Sequence, residues 1–235
     1  MSRWTLAVAV AAWLVTGCGG GPAGEFAATA SRAETKGAAA MQREDGSFET
    51  DRLIIRRFVR GDWAGIQELG RDKESSEAAA WDHRWPTSEE GCKEAADYFA
   101  KRDTSWAVCL KDGKRLIGLI SFNGIDDDKR LDLGHLFHTK FNSQDYDTEA
   151  LRRMMDHAFT RLGVQAIYGD NAEEWTAQLT PLKKLGMTLV EPPAERRGEK
   201  SSFRKRPDGT PIEFVGCRLQ ITREEWRRRR GKAAP

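Results

Sequence analysis

Phe141-Asn142-Ser143-Gln144-Asp145-Tyr146-Asp147-Thr148-Glu149-Ala150-Leu151 is a polar turn that runs into a helix. From Asp147 to Leu162, the residues Leu151, Met154, Met155, Ala158 and Leu162 recur at helical spacing and form one apolar side. Asp145 and Asp147 stand where the first backbone N–H groups of a helix have no partner within it. That end of a helix attracts anions, whether a ligand's phosphate or the protein's own carboxylate. Aspartate is a favoured N-cap. The two acids are therefore expected to cap this helix with the chain's own charge.

Working outward, Leu53 to Phe58 alternates as a strand, and Gly61-Asp62-Trp63 opens a helix through about Leu69 with Asp62 as N-cap. Ser88-Glu89-Glu90 opens a second helix to about Arg102. Strands follow at Trp106 to Lys111, Arg115 to Ile125 and Leu131 to Phe137, the first two joined by an Asp112-Gly113 turn. After the helix from Asp147 come a strand at Val164 to Gly169 and a short helix from Thr176 to Leu185 that Gly186 ends. A strand at Met187 to Val190 and a hairpin over Ser201 to Thr222 complete the order, closed by Glu224-Glu225-Trp226.

The 235 residues suffice for one domain with tails. A charged fraction of 31% and a mean hydropathy of -0.63 fit a globular domain and exclude a multi-span membrane protein. A net charge of +2 does not argue for nucleic acid, and none is expected as a partner. The basic residues gather at the end, in Arg227-Arg228-Arg229-Arg230-Gly231-Lys232, a run read as a solvated, disordered tail over residues 227–235. Contact with acidic lipid headgroups is its other reading.

Trp4 to Val15 is an apolar run too short to span a bilayer, and it ends in Val15-Thr16-Gly17-Cys18. This resembles a bacterial lipoprotein signal peptide over residues 1–18, with Cys18 as the lipidated residue. That resemblance implies a lipid-anchored protein of the cell envelope. If the leader is an artefact of the start site, the protein is cytoplasmic instead. Residues 19–48, rich in Gly, Ala, Ser, Thr and Glu, read as a flexible tether, and residues 49–226 as the domain. Cys92, Cys109 and Cys217 remain, an odd number that implies no complete disulfide framework. A Cys109–Cys217 pair and three partly buried thiols are the alternatives, the second preferred. No metal-ligand set is expected.

Glu49-Thr50-Asp51-Arg52-Leu53-Ile54-Ile55-Arg56, Gln144-Asp145-Tyr146-Asp147-Thr148-Glu149-Ala150 and Leu182-Lys183-Lys184-Leu185-Gly186-Met187 together carry a resemblance to the GNAT family of N-acetyltransferases. The branch that modifies ribosomal-protein alanine writes the middle motif Trp-Gly-Gln-Gly-Tyr-Ala-Thr-Glu-Ala. The resemblance covers residues 49–226 and implies an α/β (α+β) fold. Its centre would be a mixed, mostly antiparallel twisted sheet with helices on both faces. It implies acetyl-CoA as cofactor and a small amine or peptide N-terminus as acceptor. It places Asp132, in Leu131-Asp132-Leu133-Gly134-His135, where the family often has a carboxylate base; His135 stands in the place of a tyrosine and is a second proton acceptor by residue type. Cofactor contacts are implied for Leu133, Gln144, Asp145, Tyr146, Asp147 and Thr148, and for Trp175 and Gln178, which align with the family's Asn and Ser on the next helix.

The residues at those positions weigh against the cofactor. Asp145 and Asp147 fall on the family's small positions. A carboxylate about 5 Å from a phosphate charge costs on the order of 3 kcal/mol at an effective dielectric near 20. Trp175 and Gln178 keep neither family residue, and Pro181 sits inside their helix. Acetyl-CoA binding is therefore expected to be weak or lost, with no cofactor as the alternative. An active enzyme, a non-catalytic scaffold and an enzyme with another acyl donor remain open.

Overall fold

A computed structural model describes residues 46–192, 194 and 197–232; Cys18 and the leader lie outside the described residues. The chain begins with a two-residue strand β1 (Phe48–Glu49) paired to β2 (Leu53–Arg57). Ser47 and Phe48 are already buried, so order starts at the last residues assigned to the tether. Then come helix α1 (Trp63–Ser75), α2 (Glu89–Ala100), and strands β3 (Ser105–Leu110), β4 (Leu116–Ile125) and β5 (Arg130–Phe137). Helix α3 (Tyr146–His157), β6 (Ala166–Ala172), α4 (Thr176–Lys184) and β7 (Thr188–Val190) follow. Last are β8 (Lys200–Lys205), β9 (Pro211–Thr222) and α5 (Arg223–Lys232).

The nine strands form one sheet in the order β1-β2-β3-β4-β5-β6-β9-β7, with β8 on β9. Only β5 and β6 run parallel; every other pair is antiparallel. Alternation along the strands sends Leu53, Ile55, Leu131, Leu133 and Ile167 to one face, where Leu151, Met154 and Met155 of α3 cover them. Ala107, Cys109, Leu119 and Leu136 point to the other face, under Ile66 and Leu69 of α1 and Ala96 and Phe99 of α2. Helices thus lie on both faces of a mixed, mostly antiparallel sheet, as expected.

Asp62 does not cap α1. Its carboxylate, nearly buried, accepts from both Arg56 Nη atoms at 2.7 and 2.8 Å and from the Val59 N–H at 2.8 Å. Charge-assisted bonds to a guanidinium outcompete a single neutral amide bond. Ser88 does cap α2, accepting from the Gly91 N–H at 3.2 Å. The helix expected through Leu162 is regular only to His157; residues 158–162 form one π-turn, ended by Gly163 at φ 71°, where glycine has no steric penalty.

The terminal run is not a disordered tail as far as Lys232. Arg223–Lys232 is a helix, because Trp226 is buried against Phe159 at 5.9 Å between ring centroids and donates from Nε1 to Asp156 at 2.9 Å. One anchored tryptophan orders the turn around it. Cys109 on β3 and Cys217 on β9 are separated in the sheet by β4, β5 and β6, which rules out their pairing; all three described cysteines are free thiols.

Candidate functional site

The site is a wedge where two strands part. β5 and β6 pair only at Arg130, Leu131 and Asp132 with Ala166, Ile167 and Tyr168. Beyond that, β5 follows β4 out to Phe137 while β6 follows β9 out to Ala172. The strands are still close at their parting, where a Cβ on Gly169 would stand 3.2 Å from the Leu133 carbonyl oxygen. Two small cavities occupy the opening, each about 30 Å³, and His135, Leu136, Trp175 and Gln178 line both. Leu133, buried in the core, borders the first. A volume of that size holds one or two waters.

Gln178 divides them. Its side-chain amide, nearly buried, donates from Nε2 to the backbone carbonyl of His135 and so ties α4 to β5 across the wedge. Trp175, buried at the start of α4, packs with Ala172 and Phe214. The two positions that align with the family's Asn and Ser therefore fill the opening with larger side chains.

The two proton-transfer candidates are not brought together. Three residues apart on one strand, Asp132 and His135 point to opposite faces of the sheet. Asp132 lies on the α1–α2 face near Tyr168, Asp170 and Arg218. Arg218 holds Asp170 through two bonds of 2.7 Å and lies 4.0 Å over the Tyr168 ring. Burial, with the Asp170 charge added, pushes the Asp132 carboxyl from 3.8 to about 6, while Asn123 and Arg218 pull the other way. That is a value suited to a base near neutrality. Full burial lowers the His135 imidazole to about 4, so it is neutral at pH 7 and a weaker base than an exposed histidine. Its Nε2 has no hydrogen-bond partner among the described residues.

Asp132 also makes a testable contribution to stability. A carboxyl raised in the fold binds its proton more tightly there than in the unfolded chain. Stability is thus unaffected below pH 3.8 and falls as pH rises to about 6, by at most about 3 kcal/mol. Asp132→Asn is expected to lose this decline. Urea unfolding at pH 4 and pH 7 measures it, and an unchanged difference between the two pH values would refute the assignment.

At the cofactor turn the acids behave differently from each other. Asp145 is in the left-handed region at φ 57° and ψ 21°, a conformation that favours glycine. Its carboxylate is exposed and pairs with Lys184, making no capping bond to α3, so the expectation that it caps the helix is corrected. An exposed lysine partner within reach on α4 competes successfully with the amides. Asp147 is buried, and its Oδ1 accepts the Thr148 N–H at 2.6 Å and the Thr148 hydroxyl at 3.2 Å. It supplies the anion at this helix start. Burial and the nearby Asp145 raise its carboxyl above the usual range. Gln144 is exposed; Tyr146 lies under Arg52 at 4.2 Å from its ring.

An acetyl-CoA molecule needs the amides of this turn for its pyrophosphate and the wedge for its pantetheine arm. Asp147 takes one of those amides, that of Thr148, and Gln178 with Trp175 fill the wedge. The residues present do not fit the cofactor in this arrangement.

Trp81 and Trp85 border the first cavity, with Asp170, Phe203 and Phe214. Trp85 is also buried in the core of that face. Sequence reasoning missed Lys73, which is only 1% exposed on α1. Its ammonium donates to the His83 carbonyl and lies 3.3 Å from Asp82 and 3.4 Å from Glu74. Arg204 of β8 completes the cluster, donating to Glu74 at 2.7 Å and to the Asp82 carbonyl at 2.7 Å. Burial lowers the Lys73 ammonium despite both acids. Asp170 and Arg218 were missed as well. Their alternation with apolar strand residues was visible, but their common face depends on strand register.

Comparison with known proteins agrees with this geometry. A family model described as the acetyltransferase (GNAT) domain matches residues 52–188. The uncharacterized N-acetyltransferase YnaD of Bacillus subtilis is 26% identical over 140 residues, 59% of this chain and 80% of that protein. A GNAT-family acetyltransferase structure from Bacillus anthracis superposes with a TM-score of 0.60 at 19% identity, covering 76% of this chain and 99% of the other. RimL, a ribosomal L7/L12 alpha-N-protein acetyltransferase solved in complex with coenzyme A, gives 0.57 at 14% identity, covering 75% and 97%. With a parted β5–β6 pair at its centre and the family's domain matched over more than half its length, the chain belongs to the GNAT acetyltransferase family.

Proposed function

We propose that this GNAT domain binds acetyl-CoA weakly or not at all and acts as a non-catalytic binding domain. The proposal includes its carriage on a lipid anchor at Cys18 in a bacterial cell envelope. The observation that supports the reading is the Gln178 bond to the His135 carbonyl, which spans the opening that a pantetheine arm would enter. Asp147 on the Thr148 amide adds to it. The experiment is a calorimetric titration of the protein with acetyl-CoA, with no saturable binding in the micromolar range expected. Saturation there would overturn the reading.

The second reading is an active N-acetyltransferase for a small amine or peptide N-terminus, the latter being the class of acceptor that RimL is named for on a ribosomal protein. Asp132 favours it, since its carboxyl is held at about 6. Under this reading Asp132 takes the proton of the incoming ammonium.

The anchor has its own test. Labelled palmitate is expected in the wild-type chain and not in Cys18→Ala, which moves to the soluble fraction. Cys18→Ala remaining with membranes would count against the anchor.

A further inference from the structure

The ordered basic helix builds a second concave surface, away from the β5–β6 wedge. α5 is tied to the end of α3 and the π-turn after it by Trp226 on Phe159 and by Asp156, which accepts from Trp226 and pairs with Arg230 at 3.0 Å. Between them runs an open groove of about 840 Å³ lined by Arg152, Arg153, Arg161, Arg223, Arg227 and Arg230. Its acids are largely committed: Asp156 as above, Glu149 to Arg52 at 2.6 Å, and Glu49 to Lys111 at 3.4 Å. The Arg223 Nε donates to the Val164 carbonyl at 2.8 Å, while its buried Nη2 has no hydrogen-bond partner among the described residues. His157, in the same lining, is pushed to about 4 by burial and by the charges of Arg153, Arg161 and Arg57. The groove therefore carries a positive field with donors to spare.

Guanidinium forks match phosphate oxygens in pairs. Glu49, Thr50 and Asp51 form part of the rim, so the chain that carries the apolar leader enters the fold at this groove. On the reading of Cys18 as a lipid anchor, on which this inference rests, the groove is held near the membrane surface. We propose that the arginine groove between α3 and α5 docks the phosphate headgroups of anionic phospholipids. The proposal stands or falls independently of acetyl-CoA binding.

The test is co-sedimentation of the full chain carrying Cys18→Ala with vesicles of phosphatidylglycerol mixed into phosphatidylcholine, against phosphatidylcholine alone. The difference between the two vesicles is the readout, because the apolar leader contributes to both. Arg152 and Arg227 are exposed, so Arg152→Gln/Arg227→Gln leaves the packing intact. At about a fivefold loss per arginine near an anionic surface, the double variant is expected to lose about thirtyfold of the phosphatidylglycerol-dependent affinity. Lys93→Gln/Lys101→Gln removes the same charge from exposed sites on α2 and at its C-terminal cap and is expected to bind as wild type. Equal loss in both variants, or no loss in the arginine variant, overturns the proposal. So does a loss seen with a DNA duplex but not with vesicles, which would assign the groove to nucleic acid.

Discussion

Asp145→Gly/Asp147→Ala/Gln178→Ser is expected to bind acetyl-CoA at least about a hundredfold more tightly than the wild-type chain in calorimetry. The gain has two sources of different kind. Removing the Asp147 carboxylate frees the Thr148 amide and takes away a buried charge of the ligand's own sign, worth on the order of 3 kcal/mol. Asp145 contributes far less, since it is exposed and paired with Lys184. Its change to glycine mainly relieves a left-handed backbone. Gln178→Ser opens the wedge by deleting the amide that bonds His135. The two sources act on different halves of one ligand, so neither the loop change nor Gln178→Ser alone is expected to reach the full gain. Coupling between them is the informative quantity. If the triple variant remains as weak as the wild type, these residues do not set cofactor affinity.

Lys73 is the second position of large effect. Lys73 is 1% exposed, and its ammonium joins Glu74 of α1 to Asp82 of the segment leading to Trp85. Lys73→Ala removes the partner of Asp82 and Glu74 and leaves a cavity, and is expected to cost about 3–5 kcal/mol in urea unfolding. Lys73→Met keeps the volume. Arg204 still donates to Glu74 in that variant, so a cost well under that of alanine is expected. Equal losses for alanine and methionine would show that the charge, not the packing, dominates. Losses under about 1 kcal/mol for both would show that the cluster is dispensable.

The fold was legible because its elements are amphipathic with clear periods. Leu151, Met154 and Met155 marked α3, and the alternation around Leu53 and Ile55 marked β2. Gly163 and Gly186, at φ 71° and 93°, punctuated the chain where helices end. What misled was local chemistry with a long-range competitor. Asp62 had a capping sequence but Arg56 takes its carboxylate, and Asp145 had one but Lys184 takes it. Arg227 to Arg230 read as solvated because Trp226's partner, Phe159, lies 67 residues earlier in the chain.

The candidate site divides along the same line. Sequence alone identified the family, the positions that would meet a cofactor, and the replacement of small residues by Asp145 and Asp147, because these are matters of residue type at fixed spacing. Only the tertiary structure decided that Asp147 and not Asp145 holds the helix amide, and that Gln178 bridges the parted strands. Those outcomes depend on strand register and on burial. A carboxyl at about 6 and an imidazole at about 4 are products of the surrounding packing, which no single residue encodes.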